Sequence, residues 1–275
     1  MTQLNKVIHL CAKLLAILMI AGIVFSAVSF LGDLSFFFSS EKEYVTEKSL
    51  TVEGIMSLDV DLEAAELIIE NGDIIHAETN GSEISLSKDG STLKIKERSA
   101  AKKQKGTKVI LTVPSLAIFQ DVDISMGAGK LSADELSAVS FSLDVGAGDV
   151  EINKLNASSR ADIDCGVGNL DVKYGSISNL DLDVGVGDVD LRAAVFGESE
   201  IECGVGDLTL TLIDGKKLNR IACDVGIGNF KIDGEKIKGN TVINHGANSI
   251  DINGGVGNVT VILTDQNGEA TEESK

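Results

Sequence analysis

Pairs of glycines separated by one residue begin at Gly127, Gly146, Gly166, Gly185, Gly204 and Gly226, at intervals of 19, 20, 19, 19 and 22 residues. Gly246 opens a degenerate copy, GANSIDI, and Gly255 a half-length copy, GVGNVTV. A fixed period of this length belongs to repeat architectures, in which one unit cannot bury its apolar side chains alone and neighbours stack to do so. Of the 29 glycines in the 275-residue chain, 21 fall between Gly127 and Gly257, so the glycines belong to the repeat itself.

Strict alternation of apolar and polar residues flanks each pair, the mark of a half-buried strand. Leu143 and Val145, Ile163 and Cys165, Leu182 and Val184, Ile201 and Cys203 share a face before the glycines; Val150 and Ile152, Leu170 and Val172, Val189 and Leu191, Leu208 and Leu210 share one after them. The two alternations have opposite parity, and a straight strand cannot switch faces, so the chain turns a corner at each pair. Gly146 and Gly148, Gly166 and Gly168, Gly185 and Gly187, Gly204 and Gly206, and Gly226 and Gly228 are therefore the expected structural turns, where only glycine tolerates the backbone geometry.

Two strands and two turns per unit predict an all-β chain: a β-solenoid of about seven coils of 19–22 residues, a rod on the order of 35 Å long at about 4.8 Å per coil. Residues 121–263 form it, and the final VTVILT closes its C-terminal edge. Residues 41–120 are an irregular β-rich cap. There SLDVDLEAAELIIE reads as a first coil with Ala64 and Ala65 in place of the glycines, and Asp89-Gly90 marks a hairpin. Residues 264–275 are a polar, disordered acidic tail.

Residues 14–31, LLAILMIAGIVFSAVSFL, carry no charge and are long enough to span a bilayer as a helix. Lys6 and Lys13 precede the run, and Asp33, Glu41 and Glu43 follow it, so residues 1–40 are expected to be a cytoplasmic N-terminus and a single-pass membrane anchor, with the rest extracytoplasmic. A cleaved signal peptide is the competing reading, but no clean A-x-A site follows the apolar run. Cys11 precedes the run, which excludes lipidation at its end.

The net charge of -18 bears on partners. Phosphate-backbone binding needs a basic face, so nucleic acid is excluded as a partner. One basic stretch stands out, KIKERSAAKKQKGTK, with Lys94, Lys96, Arg98, Lys102, Lys103, Lys105 and Lys108. It is a candidate contact for lipid headgroups, anionic envelope polymer or an acidic partner, against the plainer reading of a solvated loop.

Catalytic chemistry has little foothold. His9, His76 and His245 share no motif, and no G-x-S-x-G elbow or H-E-x-x-H helix occurs. Nucleotide cradles need Lys-Ser/Thr or a helix after their glycines, whereas here an acid or amide and then a strand follow. Cys165 and Cys203 point inward two coils apart, about 9.6 Å at twice the strand spacing, beyond disulfide reach. Cys223 is offset by two residues along its strand, so all three are expected to be reduced core residues.

The polar residue after each glycine pair is more suggestive: Asp149, Asn169, Asp188, Asp207, Asn229 and Asn258 would form a ladder at one corner, with Lys130 opening the series. Outward acids Asp144, Asp164, Asp183, Glu202 and Asp224 precede the glycines. Like charges stacked at strand spacing repel unless solvent, interleaved amides or a cation relieves them. Asp149, Asp188 and Asp207 are accordingly weak calcium candidates, the only cofactor in view, although the unit departs from the calcium-binding nonapeptide in where its acid stands.

The segments SLDVDLEAAELIIENGDIIHAE, TLKIKE and KVILTVP, and the run from SMGAGKLSADEL to CGVGDLTLTL, together resemble the bacterial putative-adhesin β-strand-repeat family, a domain of unknown function often carried by membrane-anchored proteins. Its members include proteins similar to the accessory protein encoded with Lia-type envelope-stress systems. The resemblance implies a cell-envelope location and a binding or scaffolding role, and it supplies no catalytic residues. The expectation is a non-enzymatic, membrane-anchored envelope protein whose partners are the bilayer and envelope proteins or polymers. A surface adhesin for glycan or host matrix is the alternative. A polysaccharide-acting β-helix enzyme is a distant third, since Arg160, Arg192 and Arg220 are the only arginines in the repeats.

Overall fold

The structure, a computed structural model, describes residues 44–98, 106–215, 219–237, 241–243 and 246–265, and every element among them is a β-strand. The expected anchor, the tail beyond residue 265, and Lys102, Lys103, Lys105, His9, His245 and Cys11 lie outside the described residues. Among the described residues no helix is long and apolar enough to cross a membrane.

Strands β1 (Lys48–Val52), β2 (Ser57–Gly72), β3 (Ile75–Thr79), β4 (Ile84–Asp89), β5 (Thr92–Glu97) and β6 (Lys108–Pro114) precede β7 (Phe119–Val167), a 49-residue extended run that winds through successive coils. Shorter strands continue the winding: β8 (Leu170–Val172), β9 (Gly175–Ser178), β10 (Leu180–Val186), β11 (Val189–Phe196), β12 (Glu198–Val205) and β13 (Leu208–Leu212). The chain ends with β14 (Asn219–Ile227), β15 (Phe230–Ile232), β16 (Glu235–Ile237), β17 (Thr241–Ile243), β18 (Asn248–Val256) and β19 (Val259–Leu263).

Each coil pairs in parallel and in register with the next. Leu182 stands between Ile163 and Ile201, and Val184 between Cys165 and Cys203. Past the corner, Leu191 stands between Val172 and Leu210. The inward residues form one apolar column from Leu58 to Ile232, all buried, with Phe119 and Phe141 among its largest members. Each such side chain contributes roughly 1.5–3 kcal/mol by leaving water.

The parity switch occurs at the glycines as the sequence requires: Leu182 and Val184 are buried before Gly185 and Gly187, and Val189 and Leu191 after them. The second glycine carries the strain. At Gly187 φ is +154°, and a Cβ there would stand 1.6 Å from the Gly168 carbonyl oxygen of the coil beneath. Ala64 and Ala65 do not both stand for the glycines in β2: Ala65 registers with Gly129 and Ala64 with the middle residue Ala128, while Gly127 lies over Glu63. On its other side β2 pairs with β5, which ends at Glu97, and with β6, which begins at Lys108. The Glu97 carboxylate meets this corner, accepting the backbone N–H groups of Glu63 at 2.7 Å and Ala64 at 2.9 Å.

The order of coils in space departs from their order in the chain at both ends. β2 lies between β7 on one side and the coil of β5 and β6 on the other. At the far end β18 lies between β12 and β14, and β19 between β13 and β15. VTVILT thus does not close the C-terminal edge: it is an interior layer, and the Gly226 coil is outermost. GANSIDI and GVGNVTV are likewise the two sides of one coil, because β18 runs straight into the corner at Gly255 and Gly257.

Antiparallel strands cover the outermost coils. β4 pairs with β5, β3 with β6 and β1 with β3 at one end; β17 pairs with β14 and β16 with β15 at the other. Parallel coils would otherwise leave open edges that template pairing with another chain, and these reversals block further parallel stacking.

Replacing Gly187 by alanine is expected to cost about 3 kcal/mol or more, from backbone strain plus the clash with the carbonyl below. Gly234→Ala, at φ +84° with no atom within 4 Å of the added Cβ, is expected to cost only about 1 kcal/mol. Urea unfolding of the two variants checks the ranking, which equal midpoints would reverse.

Candidate interaction surface

The face that leads into the corner turns a column of acids outward on every coil. Its registered pairs are Asp162 with Asp181, Asp181 with Glu200 and Glu200 with Asp251 in one column, and Asp164 with Asp183 and Asp183 with Glu202 in the next. Glu202 continues through Asn253 to Asp224. Partial burial, then Asp144, Asp183 and Asp162, hold the Asp164 carboxyl above the usual carboxylate range. Burial, then Asp59 and Asp121, do the same for Asp123. Such shifts combine the burial of each carboxyl, the larger cause, with like charges that the sheet register holds side by side.

Two arginines reach across these columns. Arg160 Nη2 lies 2.9 Å from Asp162 Oδ2 and 3.4 Å from Asp181 Oδ2, and Arg220 Nη1 lies 3.8 Å from Asp251 Oδ1. Arg160 and Asp251 line an open groove of about 610 Å³ together with Asn179, Glu198, Glu200 and Ser249. A smaller hollow of about 350 Å³ lies between Asp183, Glu202, Asp224 and Asn253. It opens beside Gly254, which stands in register with Cys203 and Val225 but has no side chain to fill the position.

At the corner, the residues after the glycine pairs form a directional hydrogen-bond ladder. The Asn169 N–H donates to Asp149 Oδ1 at 3.1 Å, Asp188 N–H to Asn169 Oδ1 at 3.1 Å, and Asp207 N–H to Asp188 Oδ1 at 2.9 Å. The Asn258 N–H continues onto Asp207 Oδ1 at 2.8 Å, and Asn229 Nδ2 onto Asn258 Oδ1 at 2.9 Å. Asn169 and Asn258 add their side-chain amides to the same carboxylate oxygens, at 3.2 Å and 3.0 Å. The like charges are thus relieved by amides from backbone and side chain. Asp149, Asp188 and Asp207 each spend Oδ1 on the next coil, and among the described residues no group of three or more His, Cys, Asp or Glu is placed to hold a metal ion.

The described cysteines Cys165, Cys203 and Cys223 are buried and free. Cys223 registers with Ile252, which registers with Ile201, so it sits one inward position away from Cys203. Burial pushes the three thiols up, to about 12, 11 and 12 respectively, far from the thiolate that nucleophilic or metal chemistry requires.

The described cations of the basic stretch do not converge on one spot. Lys94 pairs with Asp89 at 2.6 Å, Lys96 with Asp59 at 3.0 Å and Lys108 with Glu66 at 3.0 Å, while the Arg98 backbone N–H bonds Glu83. They temper the acidic columns at the first end of the stack. The middle residue of each glycine pair is a feature the alternation argument passes over. Val167, Val186, Val205, Val256 and Ile227 register in series as a partly exposed apolar ridge, and Ile227 ends it 60% exposed. Its signal is in the sequence, since that middle residue is apolar in every copy.

Asp207→Ala removes the acceptor of two amides and is expected to cost about 1–3 kcal/mol, whereas Asp207→Asn keeps an acceptor oxygen and stays within about 0.5 kcal/mol. EGTA is expected to leave the thermal midpoint of the wild type unchanged, and a fall on chelation would contradict a ladder closed by amides alone. The raised carboxyls predict a pH dependence. A folded-state pKa above the unfolded value means that the folded chain holds more protons between the two, so stability falls as pH rises through that window. The melting temperature should therefore fall as pH rises from the ordinary aspartate range upward, and Asp164→Asn should make that fall smaller.

The family model Toastrack DUF4097 matches residues 55–271. No curated protein matches the chain. Among solved structures, a putative adhesin from Bacteroides fragilis is 16% identical, with 81% of this chain and 98% of that one covered and a TM-score of 0.47. A putative adhesin from Parabacteroides merdae is 13% identical over 81% and 98%, with a TM-score of 0.39. A putative lipid binding protein from Parabacteroides distasonis is 15% identical over 80% and 97%, with a TM-score of 0.30. With most of its length matched by that one model, including the coils and both ends of the stack, this chain belongs to the Toastrack DUF4097 family.

Proposed function

We propose that this chain is a non-catalytic binding or scaffolding protein of the cell envelope, anchored by residues 14–31, that acts outside the membrane through the acidic face of its stacked coils and serves the response to envelope stress. The observation that carries this reading is the acidic face itself. Carboxylates at fixed strand spacing, from Asp162 through Asp181 and Glu200 to Asp251, make a rigid charged surface. Burial first, and the neighbouring acids after it, raise the Asp164 and Asp123 carboxyls, so a cationic partner that relieved the repulsion would bind with a gain. The grooves along this face are open, suited to surface contact rather than to enclosing a small substrate. The basis for anchoring is the charge-free run and its flanking lysines.

In-cell cross-linking and co-purification of the full chain, beside a control retaining only residues 1–40, tests the proposal. Specific recovery of envelope proteins with the full chain is expected, and a chain with Asp181, Asp183 and Glu200 changed to their amides should recover less. Recovery of nothing beyond the control would contradict the scaffolding role, and selective retention of the full chain on glycan or host matrix would point to adhesion instead.

A further inference from the structure

Four large apolar side chains crowd the first end of the stack without cover: Leu116 is 94% exposed, Ile118 69%, Ile74 52% and Met56 50%. The hydrogen bonds place them along one rim. The Gln120 N–H donates to the Met56 carbonyl at 2.7 Å, which sets Met56 beside the Ile118–Gln120 segment. Ala117 N–H donates to the Pro114 carbonyl at 2.8 Å, and that turn lifts Leu116 outward. Pro114 registers with Gly72, two residues before Ile74. The rim is thus made of the turns that close the outermost coils, where the chain crosses from β1 to β2, from β2 to β3 and from β6 to β7.

Two lysines near this end are not spent on carboxylates. Lys88 Nζ donates to the Glu53 carbonyl at 2.5 Å, next to the rim, and Lys48 Nζ donates to the Ile84 carbonyl at 2.7 Å. Neither of these bonds goes to an acid, whereas Lys94, Lys96 and Lys108 cancel neighbouring carboxylates. Beyond this end the outward columns are acidic from Asp123 to Asp224. An anionic surface would repel those columns, whereas at this end Lys88 and Lys48 stand against the exposed Glu53, Asp73 and Asp121.

Length of chain supplies the third argument. The charge-free run ends at residue 31 and the described fold begins at residue 44, close to β1 and hence to this end. A connection of that length spans at most about 45 Å even fully extended. We propose that the Met56, Ile74, Leu116 and Ile118 rim docks into the interfacial layer of an anionic phospholipid bilayer, with Lys88 at the headgroups, so that the stack stands on the membrane by its first end. The inference rests on the anchored reading above.

The chain contains no tryptophan, so one introduced indole reports its own surroundings. Full-length Leu116→Trp, Ile118→Trp and Ile227→Trp, the last at the opposite end, would be reconstituted with vesicles of phosphatidylcholine and phosphatidylglycerol containing dibrominated acyl chains. All three substitutions sit on exposed side chains. Blue-shifted, quenched emission from Leu116→Trp and Ile118→Trp, with Ile227→Trp unaffected, is expected, and the quenching should weaken when phosphatidylglycerol is omitted. Co-flotation with unquenched emission at both rim positions would overturn the docking and leave the anchor standing. Failure of the chain to co-float would overturn both, and quenching indifferent to phosphatidylglycerol would overturn the role given to charge.

Discussion

Everything in this fold depends on how closely one coil can approach the next at the corner. The carbonyl of Gly168 points at the Cα of Gly187 so nearly that an added methyl would lie 1.6 Å away, and the same approach recurs from Gly129 to Gly228. Only hydrogen fits there. That close passage lets the strands on both sides of the corner keep parallel register with their neighbours, which aligns the inward apolar residues into one core and the outward carboxylates into columns. The face that makes the chain acidic and the corner that makes it glycine-rich are two results of one constraint.

Stacking like residues would be self-defeating for charges without a compensating device, and the molecule uses two. At the corner each side-chain oxygen accepts an amide from the next coil, so Asp149, Asp188 and Asp207 hold the stack together as well as charging it. On the preceding face the compensation is incomplete: Arg160 and Arg220 bridge some acids, while Asp164 and Asp123 remain strained toward protonation. This incomplete compensation distinguishes the face from the corner and is the basis of the contact proposed for it.

Much of this was legible in the sequence for a physical reason: parity cannot flip in a straight strand, so Val184 and Val189 imply a corner between them, and the period implies the stacking partner. The alanines of β2 were legible as a coil because alternation survives the loss of glycine. The order of the last coils was not. Nearly identical repeats carry no mark of which neighbour each prefers, and VTVILT presents the same apolar alternation whether it lies inside the stack or at its edge. The 22-residue interval before Gly226 and the absence of a side chain at Gly254 are the only local hints of the exchange. The hydrogen bonding of the corner acids was also beyond sequence, because the direction of the Asn169 and Asn258 amides depends on the stacking that brings them to Asp149 and Asp207.

The exchange at the C-terminal end follows from the register and is exposed to direct test by amide hydrogen exchange resolved along the chain. With β18 and β19 enclosed on both sides, the amides of Ile250, Ile252 and Val261 should exchange as slowly as those of Ile201 and Leu210, and more slowly than those of Phe230 and Ile232 in the outer coil. Faster exchange over 248–263 than over 219–232 would return the last segment to the edge and contradict the stacking order on which the C-terminal cap rests.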